Sequence, residues 1–241
     1  MVHFLHVGLL AAFLSIIPCH SPKIQPVSAD AVQETVFSEP TEFPRKQIAL
    51  TFDDGPSRHT DRLLDFLEEQ QIHVTFFLVG DRVGRFTDTV KRQARNGHEL
   101  GYHSYGHQDQ TRLSCERISA DYLRADGELV ALTGQSYTLW RAPGGAFDRR
   151  VLNEVPLPHI HWSVDTRDWE TKNALSVYRA ILKSAEDGAI ILLHDLYGTS
   201  VEGAIRAITE LLEQGYEFIT VSELLSRKGT EPQKCMNYYK D

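Results

Sequence analysis

Ionisable side chains recur at five points of the chain, each just after a short apolar run. Asp53 and Asp54 follow Ile48-Ala49-Leu50 in TFDDGP, and His103 and His107 stand in HSYGH. Arg141 opens RAPGG, Asp165 and Asp168 stand in DTRDW, and His194 and Asp195 close ILLHD. Adjacent carboxylates repel one another and are costly to desolvate, so Asp53 and Asp54 need a cation, an arginine or both. His103 and His107 are four residues apart, a spacing that lets both rings face one metal from a helical turn. Alone they read equally well as two surface histidines, because a chain with 11 histidines often holds such a pair by chance. A carboxylate at a neighbouring strand end favours the metal: one Asp and two His leave a coordination position open for water. Asp54 is then the ligand. Asp53 stays free as a base for the proton of a water that the cation acidifies. The plain alternative for TFDDGP is a turn, which Asp and Gly-Pro also favour.

Arg141 beside these carboxylates reads as the ion-pair partner that holds Asp53 ionised, or as a surface charge. His194 follows four apolar residues, which suits a core histidine bonded to backbone. It also suits a general acid for a leaving amine, if a carboxylate keeps it protonated. Asp168 is the candidate carboxylate. Trp169 either lines a sugar-binding groove, stacking its ring on a pyranose, or belongs to the core.

These groups need a frame that brings five chain segments to one side. The apolar runs cover residues 47–52, 73–79, 99–102, 137–140, 160–164, 189–193 and 217–221, mostly without strict alternation, as in parallel strands buried on both faces. Between them, Leu63, Leu64, Phe66 and Leu67 mark a helical stripe. Further stripes run through Ile118, Tyr122, Leu123, Leu129 and Leu132, through Leu175, Tyr178, Ile181 and Leu182, and through Ala204, Ile205, Ile208, Leu211 and Leu212. Gly215 reads as the C-cap of the last, and Thr220 with Glu223 as the capping box of a short final helix. Strand–helix repetition predicts an α/β barrel or an open doubly wound sheet, and both bind ligands at the carboxyl ends of their strands. Five of the seven runs end in polar or ionisable groups.

The 241 residues fit one domain with tails, and 41% hydrophobic residues suffice for a core. A formal charge of −8 argues against a nucleic-acid partner. Residues 1–31 read as a signal peptide or N-terminal anchor: VGLLAAFLSII is shorter than a membrane span and fits a signal h-region. Export to the cell surface or beyond is therefore expected, and any membrane attachment runs through this segment alone. Residues 32–45 read as a linker, 46–227 as the catalytic domain and 228–241 as a loose tail. Cys115 and Cys235 are too few and too far apart to define a disulfide framework, and Cys19 belongs to the leader. Oligomeric state is open.

Taken together and in this order, TFDDGP, HSYGH, RAPGG, DTRDW and LLHD resemble the polysaccharide deacetylases of carbohydrate esterase family 4, the NodB-type domain. The resemblance spans residues 46–226. It implies a distorted (β/α)₇ barrel, a single catalytic domain, and metal-dependent removal of N-acetyl groups from N-acetylated sugars. Asp53 is similar to the family's catalytic base and Arg141 to the group that tethers it. Asp54, His103 and His107 resemble its metal triad, a divalent site usually filled by zinc. His194 is similar to the general acid and Asp168 to the residue that tunes it. Trp169 and Leu192 correspond to walls of the acetate pocket, and Gly144 to the backbone N–H that meets the oxyanion. In RAPGG a glycine stands where the family often carries an aromatic ring, which leaves room beside the sugar for the lactyl ether of N-acetylmuramic acid. The expected polymer is peptidoglycan. Chitin oligomers, poly-N-acetylglucosamine, acetylxylan esters and a non-catalytic sugar-binding role are the rivals.

Overall fold

A computed structural model describes residues 45–231, 233, 237 and 238. The leader and all of the linker except Arg45 lie outside the described residues, as does Cys235. The strand β1 (Gln47–Asp53) leads into α1 (Thr60–Glu69), β2 (Thr75–Leu78), the short α2 (Gly80–Val83), α3 (Thr87–Arg95) and β3 (Glu99–Tyr102). The long α4 (Cys115–Thr133) precedes β4 (Leu139–Trp140), α5 (Arg149–Glu154), β5 (His159–Ile160) and β6 (Val164–Asp165). Then come α6 (Asp168–Thr171), α7 (Ala174–Ser184), β7 (Ala189–His194), α8 (Gly198–Glu213), β8 (Glu217–Phe218), α9 (Val221–Arg227) and β9 (Asn237–Tyr238).

All strand pairs are parallel, in the order β6-β7-β1-β2-β3-β4-β5-β9, with β8 also on β1. The sheet curls into a barrel whose free edges are β6 and β9; β5 and β6 do not pair with one another. The run at residues 160–164 is thus two short strands rather than one. Its carbonyls explain the break: Arg141 donates from Nε to the Ile160 oxygen and from Nη2 to the His161 oxygen, both at 3.1 Å. A second irregularity lies along β1. One edge pairs with β2 only at Thr51–Asp53, while Gln47 and Ile48 pair with β8. Within the tail, β9 lies against β5, and the His161 N–H donates to the Tyr238 carbonyl at 2.7 Å.

Side-chain parity explains where the reactive groups go. Successive strand residues face opposite sides of the sheet. Ile48, Leu50 and Phe52 of β1, Phe76 and Leu78 of β2, and Ile191 and Leu193 of β7 pack outward under the helices. Ala49, Phe77, Leu139, Ile160 and Ile190 face inward and pack on Val221, Leu224 and Leu225 of α9, which plugs the barrel. Thr51 and Asp53 share the inward parity of Ala49, and Leu192 and His194 that of Ile190. Arg141 shares the parity of Leu139. The interior therefore grades from an apolar floor to a polar mouth at the carboxyl ends.

Local signals match their elements. The Thr220–Glu223 capping box starts α9, and Gly215 follows α8 at φ 83°. The helix α3 had no apolar stripe to announce it, because its buried positions are Thr89, Val90, Gln93 and Ala94. Two of these four are polar, and Thr89 satisfies its hydroxyl on the Asp61 carboxylate of α1.

Candidate active site

The β1–α1 turn delivers both carboxylates of TFDDGP, but to different partners. Asp53 ends the strand, nearly buried, with its Oδ1 2.8 Å from Nη1 of Arg141. That guanidinium is fully buried and stacks on the Phe77 ring at 4.1 Å. Its remaining donors reach the Thr51 hydroxyl at 2.7 Å and the two backbone carbonyls between β5 and β6. Burial lowers the Arg141 pKa, and the Asp53 charge and hydrogen bond offset only part of that.

Asp54 has left-handed backbone, φ 70°, a conformation that Asp tolerates better than most residues. It turns the carboxylate away from Asp53 so that Oδ1 lies 3.2 Å from Nε2 of His103 and 2.9 Å from Nε2 of His107. Burial alone would raise the Asp54 pKa. The hydrogen bonds and charges of the two histidines outweigh it and hold the carboxyl far below its ordinary range. The same contact with Asp54 raises His107. The histidines do not sit on a helical turn as their spacing suggested. They flank a loop in which Ser104 and His107 take φ values of 60° and 59°, and this reversal brings the rings together.

The donor set fits a divalent cation. Nδ1 of His103 donates to the Arg141 backbone carbonyl at 2.9 Å, which turns Nε2, the atom a metal would take, towards Asp54. One ligand atom from each of Asp54, His103 and His107 lies within 4.8 Å of the others. A tetrahedral site with bonds of ~2.0–2.1 Å separates its ligand atoms by about 3.3 Å, close to these spacings.

On the other side, His194 ends β7 and is clasped twice by Asp168. Its backbone N–H meets Oδ2 and its ring Nδ1 meets Oδ1, both at 2.8 Å. Asp168 is fully buried at the start of α6. Burial lowers the His194 pKa, but the Asp168 hydrogen bond and charge, with Asp53 and Asp54, outweigh it and push the ring up to about 9.

A cavity of about 380 Å³ is lined by Asp53, Asp54, His103, His107, Gly144, Trp162, Asp165, Trp169, Leu192 and His194. Eight of the ten residues given a role in the sequence meet there. The other two, Arg141 and Asp168, lie behind the lining, where each grips a residue that faces the cavity. Gly144 sits at φ 59° in the turn after β4, exposed, with open space where a side chain would point. Trp169 is 47% exposed, whereas Leu192 is nearly buried.

Trp162 was not singled out in the sequence. It lies inside an apolar run and is half-buried, and only the break between β5 and β6 turns it towards the cavity. It stands 5.7 Å from the Arg141 guanidinium and stacks on His161, and a Cβ on Gly145 would come within 2.8 Å of its ring.

Known proteins resemble this chain in sequence and fold. A family model described as polysaccharide deacetylase matches residues 41–156. The peptidoglycan-N-acetylglucosamine deacetylase PgdA of Listeria monocytogenes is 41% identical over 184 residues, 76% of this chain and 40% of that protein. The peptidoglycan-N-acetylmuramic acid deacetylase PdaC of Bacillus subtilis is 36% identical over 181 residues, 75% of this chain and 39% of that protein. The chain thus spans about two-fifths of the length of these curated relatives. The solved structure of the T48 deacetylase with substrate superposes with a TM-score of 0.77 at 36% identity, covering 80% of this chain and 96% of that one. On these matches, and on the curled parallel sheet they share with it, this chain belongs to the polysaccharide deacetylase family.

Proposed function

We propose that this chain is a metal-dependent hydrolase that removes N-acetyl groups from the N-acetylated sugars of peptidoglycan. One observation carries the reading: a base and an acid, Asp53 and His194, line the same cavity as the Asp54–His103–His107 triad, and each is fixed by a buried partner of opposite charge. A sugar-binding domain has no use for such a pair. The names of the relatives support peptidoglycan as the polymer.

In this reading Asp54, His103 and His107 hold the cation, and zinc suits one carboxylate and two imidazoles. When bound, it polarises the acetyl carbonyl and acidifies the attacking water. Asp53, held in place by Arg141, takes the proton from that water. The Gly144 backbone N–H stabilises the oxyanion. His194 gives its proton to the departing nitrogen, so that water and amide become acetate and a free amino sugar. Trp169 and Trp162 supply aromatic faces for the sugar, and Leu192 the apolar wall for the acetyl methyl.

The open space at Gly144 favours N-acetylmuramic acid beside N-acetylglucosamine, since a lactyl ether can occupy it. Residues 1–31 take the protein to the cell wall where that polymer lies. Acetate release from peptidoglycan, chitin oligomers and acetylxylan, with and without a chelator, tests the reading. Chelator-sensitive release from peptidoglycan is expected. Release from acetylxylan alone would replace the amidase reading with an esterase. Recovery of the protein in a cytosolic fraction would reject export.

A further inference from the structure

The last residue of ILLHD has no part in the mechanism above, yet it is fully buried next to the general acid. Asp195 closes a clasp between the end of β7 and the loop that carries the metal-binding carboxylate. Its Oδ2 accepts a hydrogen bond from the Thr60 hydroxyl, and its backbone carbonyl accepts from the Ser57 hydroxyl at 2.6 Å. The Ser57 N–H in turn donates to Thr60 Oγ1 at 2.7 Å, so the Thr60 proton points at Asp195. The other oxygen, Oδ1, has no hydrogen-bond partner among the described residues. It occupies the space that a Cβ on Gly55 would need. Gly55 is therefore pressed from below by a carboxylate and held from the side by its carbonyl, which accepts from the Val79 N–H at 3.1 Å.

Gly55 directly follows Asp54, whose left-handed backbone sets the direction of its carboxylate. Any slack at Gly55 would move Asp54 Oδ1 relative to His103 and His107. We propose that Asp195, through Thr60 and the bare backbone of Gly55, is a positioning residue that sets the Asp54 carboxylate for metal binding. The inference rests on the metal-dependent reading of the triad. It explains why a glycine follows Asp54 although Gly55 has no left-handed φ of its own, because any side chain there would displace the Asp195 carboxylate.

The test is metal affinity, measured by competition with a chelating dye, together with the visible spectrum of the Co²⁺-loaded protein and the thermal midpoint of each variant. Asp195→Ala is expected to weaken metal binding by about 10- to 100-fold, the usual cost of losing a group that orients a ligand, and to change the Co²⁺ spectrum. Asp195→Asn keeps the shape and the acceptor for Thr60, and should restore most of the affinity. Thr60→Val cuts the clasp at its other end and should weaken binding in the same direction, which decides the matter if Asp195→Ala does not fold. Gly55→Ala should harm metal binding more in the wild-type background than beside Asp195→Ala, where the obstructing carboxylate is gone. Wild-type metal affinity and spectrum in folded Asp195→Ala and Thr60→Val, with only the thermal midpoint lowered, would show a purely structural clasp and overturn the inference. If the wild-type chain itself binds no metal, the reading of the triad falls first and the inference with it.

Discussion

Arg141 and Asp53 stand 88 residues apart in the chain and 2.8 Å apart in the barrel, with the guanidinium fully shielded from solvent. Asp53 depends on this partner, because a carboxylate withdrawn from water needs a compensating charge. Replacing Arg141 by Met keeps the bulk and leaves Asp53 buried and unpaired. Stability is expected to fall by about 3–5 kcal/mol, readable by urea unfolding. Turnover should fall as well, because the same change releases the carboxylate that Arg141 holds in place. A variant as stable as the wild type would mean that Asp53 does not rely on Arg141.

The two neighbours in TFDDGP should separate experimentally. Asp53→Asn is expected to reduce kcat by about 10²–10⁴-fold while metal content stays near wild type. Asp54→Asn should lower metal content and turnover together. Metal analysis alongside acetate release distinguishes them, and loss of metal from the Asp53 variant would exchange their roles.

His194 gives a pH signature. Its pKa is pushed up to about 9, so the ring is protonated at neutral pH and loses its proton as pH rises through that value. The acid is thus present on the low-pH side, and kcat should decline on the alkaline side; a bound cation, being positive, moves this limb lower. Asp168→Asn removes the main group that opposes burial. The alkaline limb should then shift to lower pH by more than a unit, together with a fall in maximal rate. An unmoved limb in that variant would assign it to another group.

Far from the cavity, His98 should make the fold acid-sensitive. It is nearly buried, and its Nδ1 accepts the Val74 N–H at 3.3 Å. Burial, with repulsion from His73 and Arg92, lowers its pKa to about 4. A histidine whose folded pKa is depressed favours the native state above its unfolded pKa and disfavours it as pH falls towards the folded value. Between about pH 6.5 and 4 this residue should cost on the order of 3 kcal/mol. His98→Asn retains an acceptor for Val74 without a titrating ring. Unfolding curves at pH 7 and 4.5 should show a smaller loss in the variant, and equal losses would place the acid sensitivity elsewhere.

Much of the site was legible along the chain because strand ends announce themselves. An apolar run followed at once by a carboxylate or an imidazole marks the mouth of a parallel sheet, and five such endings supplied Asp53, Asp54, His103, His107 and His194 with their partners Arg141 and Asp168. Local energetics also showed through where neighbours in sequence are neighbours in space, as in the Thr220–Glu223 box of α9. Where a helix buries polar residues, as α3 does with Thr89 and Gln93, that signal vanished. Trp162 was hidden for a related reason, since an aromatic in an apolar run looks like core until the sheet breaks beside it.

What the sequence by itself determined was the inventory of chemistry and its placement at the ends of parallel strands. Composition, runs and caps are short-range properties. The tertiary structure decided which way each group faces. In strands buried on both sides no alternation of polar and apolar residues reveals the inward face, and only the pairing of β1 with β7 and β2 aims Asp53 and His194 into one cavity. It also decided the loop reversal at Ser104 and His107, the break between β5 and β6, and the contact of Asp195 with Gly55. Each of these depends on groups far apart in the chain, whose packing and desolvation energies exist only once the barrel has closed around them.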